Sequence, residues 1–159
     1  MPIKARVLID NVVYHIIVRG NHGQTIFSHQ DDFVRYLKTV RKYKNRYGFR
    51  LYAYCLMNNH VHLVIDPHDK YSLKNIMHCI NLSYCKWHNS RYEQSGHLWQ
   101  GRYKSYIVQK DQYLVNCITY VEFNPVRAKI CQRAEEYPWS SYSSRTLGVP
   151  SPLLDDILF

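Results

Sequence analysis

The stretch Leu56-Met57-Asn58-Asn59-His60-Val61-His62-Leu63-Val64-Ile65 contains a turn between two apolar runs. Asparagine suits tight turns, and the flanking residues are typical of buried strands. We therefore predict one strand over residues 49–56 and a second over residues 60–66, joined through residues 57–59. Because side chains alternate along a strand, His60 and His62 are predicted to lie on the same face of the second strand.

Two neighbouring imidazoles on a strand face have two interpretations. Neutral ring nitrogens are ligands for divalent metal ions, so the pair His60 and His62 predicts a metal site. The alternative is a polar strand face on which hydrogen-bonded histidines hold no metal. A third ligand and a nucleophile elsewhere in the chain would favour the metal site.

The rest of the chain surrounds this hairpin with alternating strands and helices. Periodicity and capping residues predict, in order, a strand over residues 12–19, a helix from Asp31 and Asp32 to Gly48, the two hairpin strands, a helix from Ser72 to Trp87, a strand over residues 103–109, and a helix from Asp111 that Pro125 ends shortly after Phe123. The order β-α-β-β-α-β is that of the ferredoxin-like split β-α-β fold. We predict an α+β protein with a four-stranded antiparallel sheet and helices packed on it.

One domain is expected over residues 1–136, followed by an irregular C-terminal tail over residues 137–159 that packs on or near the domain. No apolar stretch approaches the length of a membrane span, and the N-terminus lacks the pattern of a signal peptide. The five cysteines form no CxxC pair, which favours free thiols in a reducing compartment. We therefore expect a cytoplasmic protein with no membrane partner.

The chain is basic and rich in aromatic residues. Its 159 residues include 21 Lys and Arg against 12 Asp and Glu, a formal net charge of +9. This excess favours a polyanionic partner through phosphate contacts and counterion release. Fifteen tyrosines and three tryptophans offer flat faces on which unpaired bases can stack. Single-stranded nucleic acid is the partner that this composition favours.

The predicted third helix carries a polar face. Tyr113, Cys117, Tyr120 and Asn124 fall at i, i+4, i+7 and i+11, beside an apolar stripe that is the natural core-facing side. A helical tyrosine is most often a packed aromatic, and Asn124 before a proline is equally a helix-ending residue. These residues alone leave the role of the face open.

Five segments of the chain, taken in order, resemble the small single-tyrosine transposases of the HUH endonuclease superfamily. They are Tyr14-His15-Ile16-Ile17-Val18-Arg19-Gly20-Asn21, Asn59-His60-Val61-His62-Leu63, Gly96-His97-Leu98-Trp99-Gln100-Gly101-Arg102, Tyr120-Val121-Glu122-Phe123-Asn124-Pro125-Val126-Arg127-Ala128 and Pro138-Trp139-Ser140-Ser141-Tyr142. Together they cover roughly residues 8–147. They are most similar to the REP-associated tyrosine transposases, which are domesticated relatives of bacterial insertion-sequence enzymes.

The resemblance implies a role for each of four residues. His60 and His62 match two metal ligands, Asn124 takes the place of the third ligand through its amide oxygen, and Tyr120 matches the nucleophile. The implied cofactor is Mg²⁺ or Mn²⁺, which polarises the scissile phosphate. The implied reaction cleaves single-stranded DNA through a 5′-phosphotyrosine intermediate and rejoins strands without ATP. Tyr113 is the alternative nucleophile.

The resemblance also implies a DNA partner, namely a hairpin or palindromic repeat with an unpaired flank. Arg19 and Arg102 are predicted phosphate contacts, and His97 and Trp99 are predicted DNA contacts, against the alternative that their loop only packs on the sheet. The insertion-sequence relatives are dimers that share active sites between chains. For this chain we favour a monomer over a homodimer.

Two other functions compete with the transposase interpretation. The first keeps the fold without the catalysis, as a non-catalytic ferredoxin-like module that binds nucleic acid. The second is a zinc hydrolase built on the strand histidines, with His15 as the third ligand. Simple nucleic-acid binding requires neither a histidine pair nor a nucleophilic tyrosine, and no residue suggests a base that would activate a zinc-bound water.

Overall fold

The structure is a computed structural model that describes residues 12–69 and 72–157. These residues form four strands, β1 (Val13–Arg19), β2 (Arg50–Met57), β3 (His60–Asp66) and β4 (Lys104–Val108), and five α-helices, α1 (Gln30–Tyr47), α2 (Ser72–Arg91), α3 (Gln112–Glu122), α4 (Asn124–Arg127) and α5 (Tyr142–Leu147). Residues 1–11 and 158–159 lie outside the described residues. The outer ends of the two predicted domain ranges fall there, as does the segment in which no signal-peptide pattern was found.

The strands form one four-stranded sheet in the order β2-β3-β1-β4. Each neighbouring pair is antiparallel, and Asn58 and Asn59 form the turn between β2 and β3. This order is the ferredoxin-like arrangement, so the predicted fold class is confirmed. The amide of Gly20 donates to the Asn59 carbonyl at 2.8 Å and ties the end of β1 to this turn.

The two faces of the sheet are covered by different helices. Helices α1 and α2 pack against each other on one face, where the alternate β3 residues Val61, Leu63 and Ile65 join their core. Helix α3 covers the other face, where Val64 packs with α3 residues. Because β3 alternates, His60 and His62 lie on this second face.

The predicted end of the third helix near Pro125 is confirmed, but the prediction that Asn124 lies on the same helical face as Tyr120 was wrong. The helix stops at Glu122, Phe123 separates the two helices, and Asn124 begins α4 with Pro125 in its first turn. Proline has no N–H to donate to the carbonyl four residues earlier, so it breaks the first helix. Its fixed φ suits the first turn of a new one. Tyr120 and Asn124 therefore belong to two different helices.

The C-terminal segment is more ordered than the predicted irregular tail. It contains α5, and it runs along the free edge of β2. The amide of Leu56 donates to the Trp139 carbonyl at 2.8 Å, and the amide of Ser141 donates to the Tyr54 carbonyl at 3.0 Å. An edge strand presents unpaired backbone groups, and this segment satisfies them for β2.

Two further findings concern the described residues as a whole. Among the described residues, no helix is long and apolar enough to cross a membrane. All five cysteines are free, and Cys55 is the buried one.

Candidate active site

The two histidines lie at the start of β3, on the sheet face that α3 covers. In the strand register His60 lies opposite Arg19 and His62 lies opposite Ile17. The imidazole centroids of His60 and His62 are 5.1 Å apart with the rings nearly perpendicular. His62 is buried, whereas His60 is half-buried. One imidazole is thus fixed in the protein interior and its neighbour reaches the surface.

Burial keeps both imidazoles uncharged. It lowers the pKa of His62 to about 3, helped by neighbouring His15, His60, Arg19 and Arg127. Burial and the charge of Arg19 also lower the pKa of His60. A neutral imidazole has one nitrogen lone pair, which is the form that binds a metal ion. The pair is therefore ready to bind a cation at neutral pH.

Each of the two imidazoles also has a polar neighbour at Nδ1. His60 Nδ1 lies 2.7 Å from Oδ1 of Asn59, in the hairpin turn. His62 Nδ1 lies 2.9 Å from Nε2 of His15, which projects from β1 on the same face. In both cases Nδ1 is engaged by the protein and Nε2 remains for another partner.

Tyr120 of α3 lies beside His62 and His15. Its ring stands edge-on to His62 with the centroids 6.4 Å apart, and edge-on to His15 at 6.2 Å. The side chain is 51% exposed, so its phenol is accessible from solvent. The predicted nucleophile and one predicted ligand are therefore neighbours within a single chain.

Tyr113, the alternative nucleophile, lies in the first turn of α3 and is 64% exposed. With His15 and Tyr120 it lines a groove of about 660 Å³ between β4 and α3. Tyr113 therefore lies beside the site, whereas the ring contacts with His15 and His62 are made by Tyr120.

Arg127 is a site residue to which the sequence assigned no role. Its guanidinium carbon lies 3.8 Å from the centroid of the Tyr120 ring, and its Nη2 donates to the Tyr120 carbonyl at 2.5 Å. That carbonyl is in the last turn of α3, where carbonyls lose their intrahelical partners. The i+7 spacing of the two residues was a signal, but the helix break between them decides the contact.

The side chains predicted as ligands, His60, His62 and Asn124, are of donor types that suit a small divalent cation. Asn124 is half-buried, and its amide nitrogen is buried without a hydrogen-bond partner among the described residues. That nitrogen is a donor, so a cation would have to be bound by the amide oxygen of Asn124. Two neutral imidazoles and an amide form a donor set that leaves room for phosphate oxygens. In the described part of the chain, no group of three or more His, Cys, Asp or Glu side chains is arranged to hold a metal ion. This geometry gives no support to the zinc site with His15 as third ligand.

The four predicted DNA contacts do not lie together. Arg19 is exposed beside His60. His97 and Arg102 are exposed and line a groove of about 590 Å³ against α2, together with Lys74. Trp99 is half-buried, and its Nε1 donates to the Asn81 carbonyl at 2.9 Å. A role of these residues in DNA binding stays a prediction.

Several proteins described as transposases are similar to this chain in sequence or in fold. A protein of Haemophilus influenzae described as a REP-associated tyrosine transposase is 24% identical over 127 residues, which cover 72% of each chain. The structure of a REP-associated tyrosine transposase bound to a REP hairpin superposes with a TM-score of 0.73, at 16% identity and with 100% of both chains covered. A protein of Deinococcus radiodurans described as a transposase gives a TM-score of 0.53 at 17% identity, covering 85% of this chain and 97% of that one.

At these identities the solved structures establish the shared fold. The family assignment comes from the sequence itself, since the model of the IS200-like transposases matches residues 8–124, well over half of the chain. The chain therefore belongs to the family of IS200-like transposases.

Proposed function

We propose that this chain is a metal-dependent single-stranded DNA endonuclease and strand transferase that forms a 5′-phosphotyrosine intermediate at hairpin or palindromic repeat DNA. Family membership supports the broader role of a transposase. The observation that carries the finer proposal is the contact between the exposed Tyr120 ring and the buried, neutral His62. Neither residue is needed in a module that only binds DNA.

The side chains divide the work in a way that their positions allow. His60 and His62 would hold Mg²⁺ or Mn²⁺ with Asn124. When bound, the ion withdraws charge from the oxygens of the scissile phosphate. Tyr120 attacks phosphorus through its phenol oxygen and gives up its proton to solvent or to a base. Arg127 holds the ring of the nucleophile, and Arg19 offers a cation to the phosphate.

The proposed cleavage exchanges one phosphorus–oxygen bond for another. The new bond joins phosphorus to the tyrosine oxygen, and the bond from phosphorus to the 3′ oxygen breaks. The departing 3′ oxygen takes up a proton, so a free 3′-hydroxyl and a 5′-phosphotyrosine remain. Attack by a 3′-hydroxyl on this linkage reverses the step, and strands are joined without ATP.

The proposed substrate is a DNA hairpin with an unpaired flank. The relative with the same fold was solved with a REP hairpin bound, and the net charge of +9 suits a polyanion. An unpaired strand can bend to bring one phosphate in line with Tyr120. We also propose that the chain acts as a monomer, because Tyr120 and His62 meet within one chain.

The test uses a labelled hairpin with an unpaired flank, in Mg²⁺, in Mn²⁺ and in EDTA. Nicking and a covalent adduct are expected with metal, and neither in EDTA. His60→Ala and His62→Ala should lose cleavage, because they remove ligands. Circular dichroism checks that the His62 variant, which also loses a buried side chain, is folded. Tight hairpin binding without nicking in any metal would instead support the non-catalytic module. Equal cleavage of a fully paired duplex would contradict the proposed substrate.

A further inference from the structure

The contact between His15 and His62 links two neighbouring strands beneath the proposed metal site. His15 lies on β1 and His62 on β3, and the Nε2 of the first is 2.9 Å from the Nδ1 of the second. The rings are stacked, with centroids 5.1 Å apart and planes at 22°. Both side chains are buried, at 8% and 4% exposure. The orientation of the His62 ring is therefore held by its contact with the His15 imidazole.

A hydrogen bond between two neutral imidazoles has a direction, and the direction decides which nitrogen of His62 is protonated. If His62 donates its Nδ1–H to His15, Nε2 of His62 keeps its lone pair. If His15 donates instead, the proton of His62 is on Nε2, and that nitrogen cannot bind a metal ion. Only the first arrangement leaves His62 with a free ligand atom.

The partner of His60 supplies an internal comparison. His60 Nδ1 contacts the amide oxygen of Asn59 at 2.7 Å, and an amide oxygen only accepts. His60 therefore donates from Nδ1 and keeps its lone pair on Nε2. The same arrangement at His62 gives both histidines a free Nε2, the pattern expected of metal ligands oriented by a neighbouring acceptor.

We propose that His15 is a positioning residue, which accepts the Nδ1–H of His62 and so keeps Nε2 of His62 unprotonated and its ring in a fixed orientation. His15 then carries its own proton on Nδ1. It lines the open groove beside Tyr120, where water can accept a hydrogen bond from this N–H. The inference rests on the proposed metal-assisted function, because it assigns Nε2 of His62 as the ligand atom.

The first experiment reads the two tautomers directly. Long-range ¹H–¹⁵N correlation spectra of ¹⁵N-histidine protein, recorded near neutral pH in EDTA, separate protonated from unprotonated ring nitrogens. We expect protons on Nδ1 of both His15 and His62. A proton on Nε2 of His62 overturns the proposal, and this measurement needs no variant, no metal and no activity.

The second experiment separates positioning from packing. His15→Leu removes the acceptor and keeps an apolar side chain, and it should weaken Mn²⁺ binding measured by calorimetry by about 10- to 100-fold. His15→Gln places an amide oxygen near the former Nε2 and should recover most of the affinity. The exposed His78 of α2 gives a matched control, and His78→Leu should bind Mn²⁺ like the parent chain.

The outcomes distinguish this inference from the proposed function. Unchanged Mn²⁺ affinity in a folded His15→Leu variant overturns the role of His15 while leaving the transposase chemistry intact. Absence of any adduct at Tyr120 would contradict the proposed function, and the tautomer of His62 would still decide the hydrogen bond.

Discussion

The guanidinium of Arg127 lies over the ring of Tyr120, with its Cζ 3.8 Å from the ring centroid. The two residues are on different helices, α4 and α3, and the same guanidinium donates to the Tyr120 carbonyl. A cation in this position contacts both the backbone and the side chain of the proposed nucleophile. The contact joins the Tyr120 ring to α4 on the side of the site that includes His62.

Arg127→Ala is expected to slow strand cleavage about two- to fivefold, because a cation–π contact at an exposed position is worth about 0.5–1 kcal/mol and each 1.4 kcal/mol is about one order of magnitude. The cleavage rate of Arg127→Lys should lie between those of the parent chain and Arg127→Ala, since lysine keeps the charge and loses the planar stack. Single-turnover cleavage rates measure the effect. Arg46 stacks on Tyr47 in α1, and Arg46→Ala is the matched control that should cleave normally. An unchanged rate in Arg127→Ala would remove Arg127 from the site.

Tyr120→Phe should abolish the covalent adduct while metal and hairpin binding persist, because only the hydroxyl oxygen is lost. Tyr113→Phe should still form the adduct, since the histidine contacts belong to Tyr120. Mass spectrometry of the DNA-linked peptide identifies the attached residue. Attachment at Tyr113 would show that the exposed tyrosine at the start of α3 is the nucleophile.

A mixture of the Tyr120→Phe and His62→Ala chains should remain inactive, because the structure brings Tyr120 and His62 together in one chain. In a dimer that shared its sites, one of the two mixed sites would combine an intact tyrosine with intact histidines. Recovery of nicking in the mixture would therefore reveal a shared site. Light scattering of the mixture with the hairpin gives the accompanying oligomeric state.

Ser141→Ala should destabilise the fold by about 1–3 kcal/mol, because it leaves buried polar groups without partners. The Ser141 hydroxyl accepts from the Tyr54 amide at 3.0 Å and donates to Glu122 at 2.7 Å, joining the C-terminal segment to β2 and α3. Urea unfolding measures the loss. Ser144→Ala, in the same segment, should change stability by less than about 0.5 kcal/mol. Equal stability of the Ser141 variant and the parent would mean that this segment does not secure the edge of β2.

The sequence by itself determined the features that depend on local periodicity. Alternation along residues 60–66 placed His60 and His62 on one face, and the order of strands and helices predicted the ferredoxin-like sheet that the structure has. Both follow from short-range rules, a period of two for strands and a period of about 3.6 for helices. The family motifs then singled out Tyr120 and Asn124.

Only the tertiary structure decided which further side chains meet at the site. His15 contacts His62 across 47 positions of sequence because β1 pairs with β3, and no periodicity specifies that register. Arg127 reaches Tyr120 because a second short helix, α4, follows directly after the break at the end of α3, and no element had been predicted there. Contacts of this kind depend on strand order and on the geometry of a helix end. They arise when the elements pack, which is why the neighbours of His62 and Tyr120 could not be predicted from the chain alone.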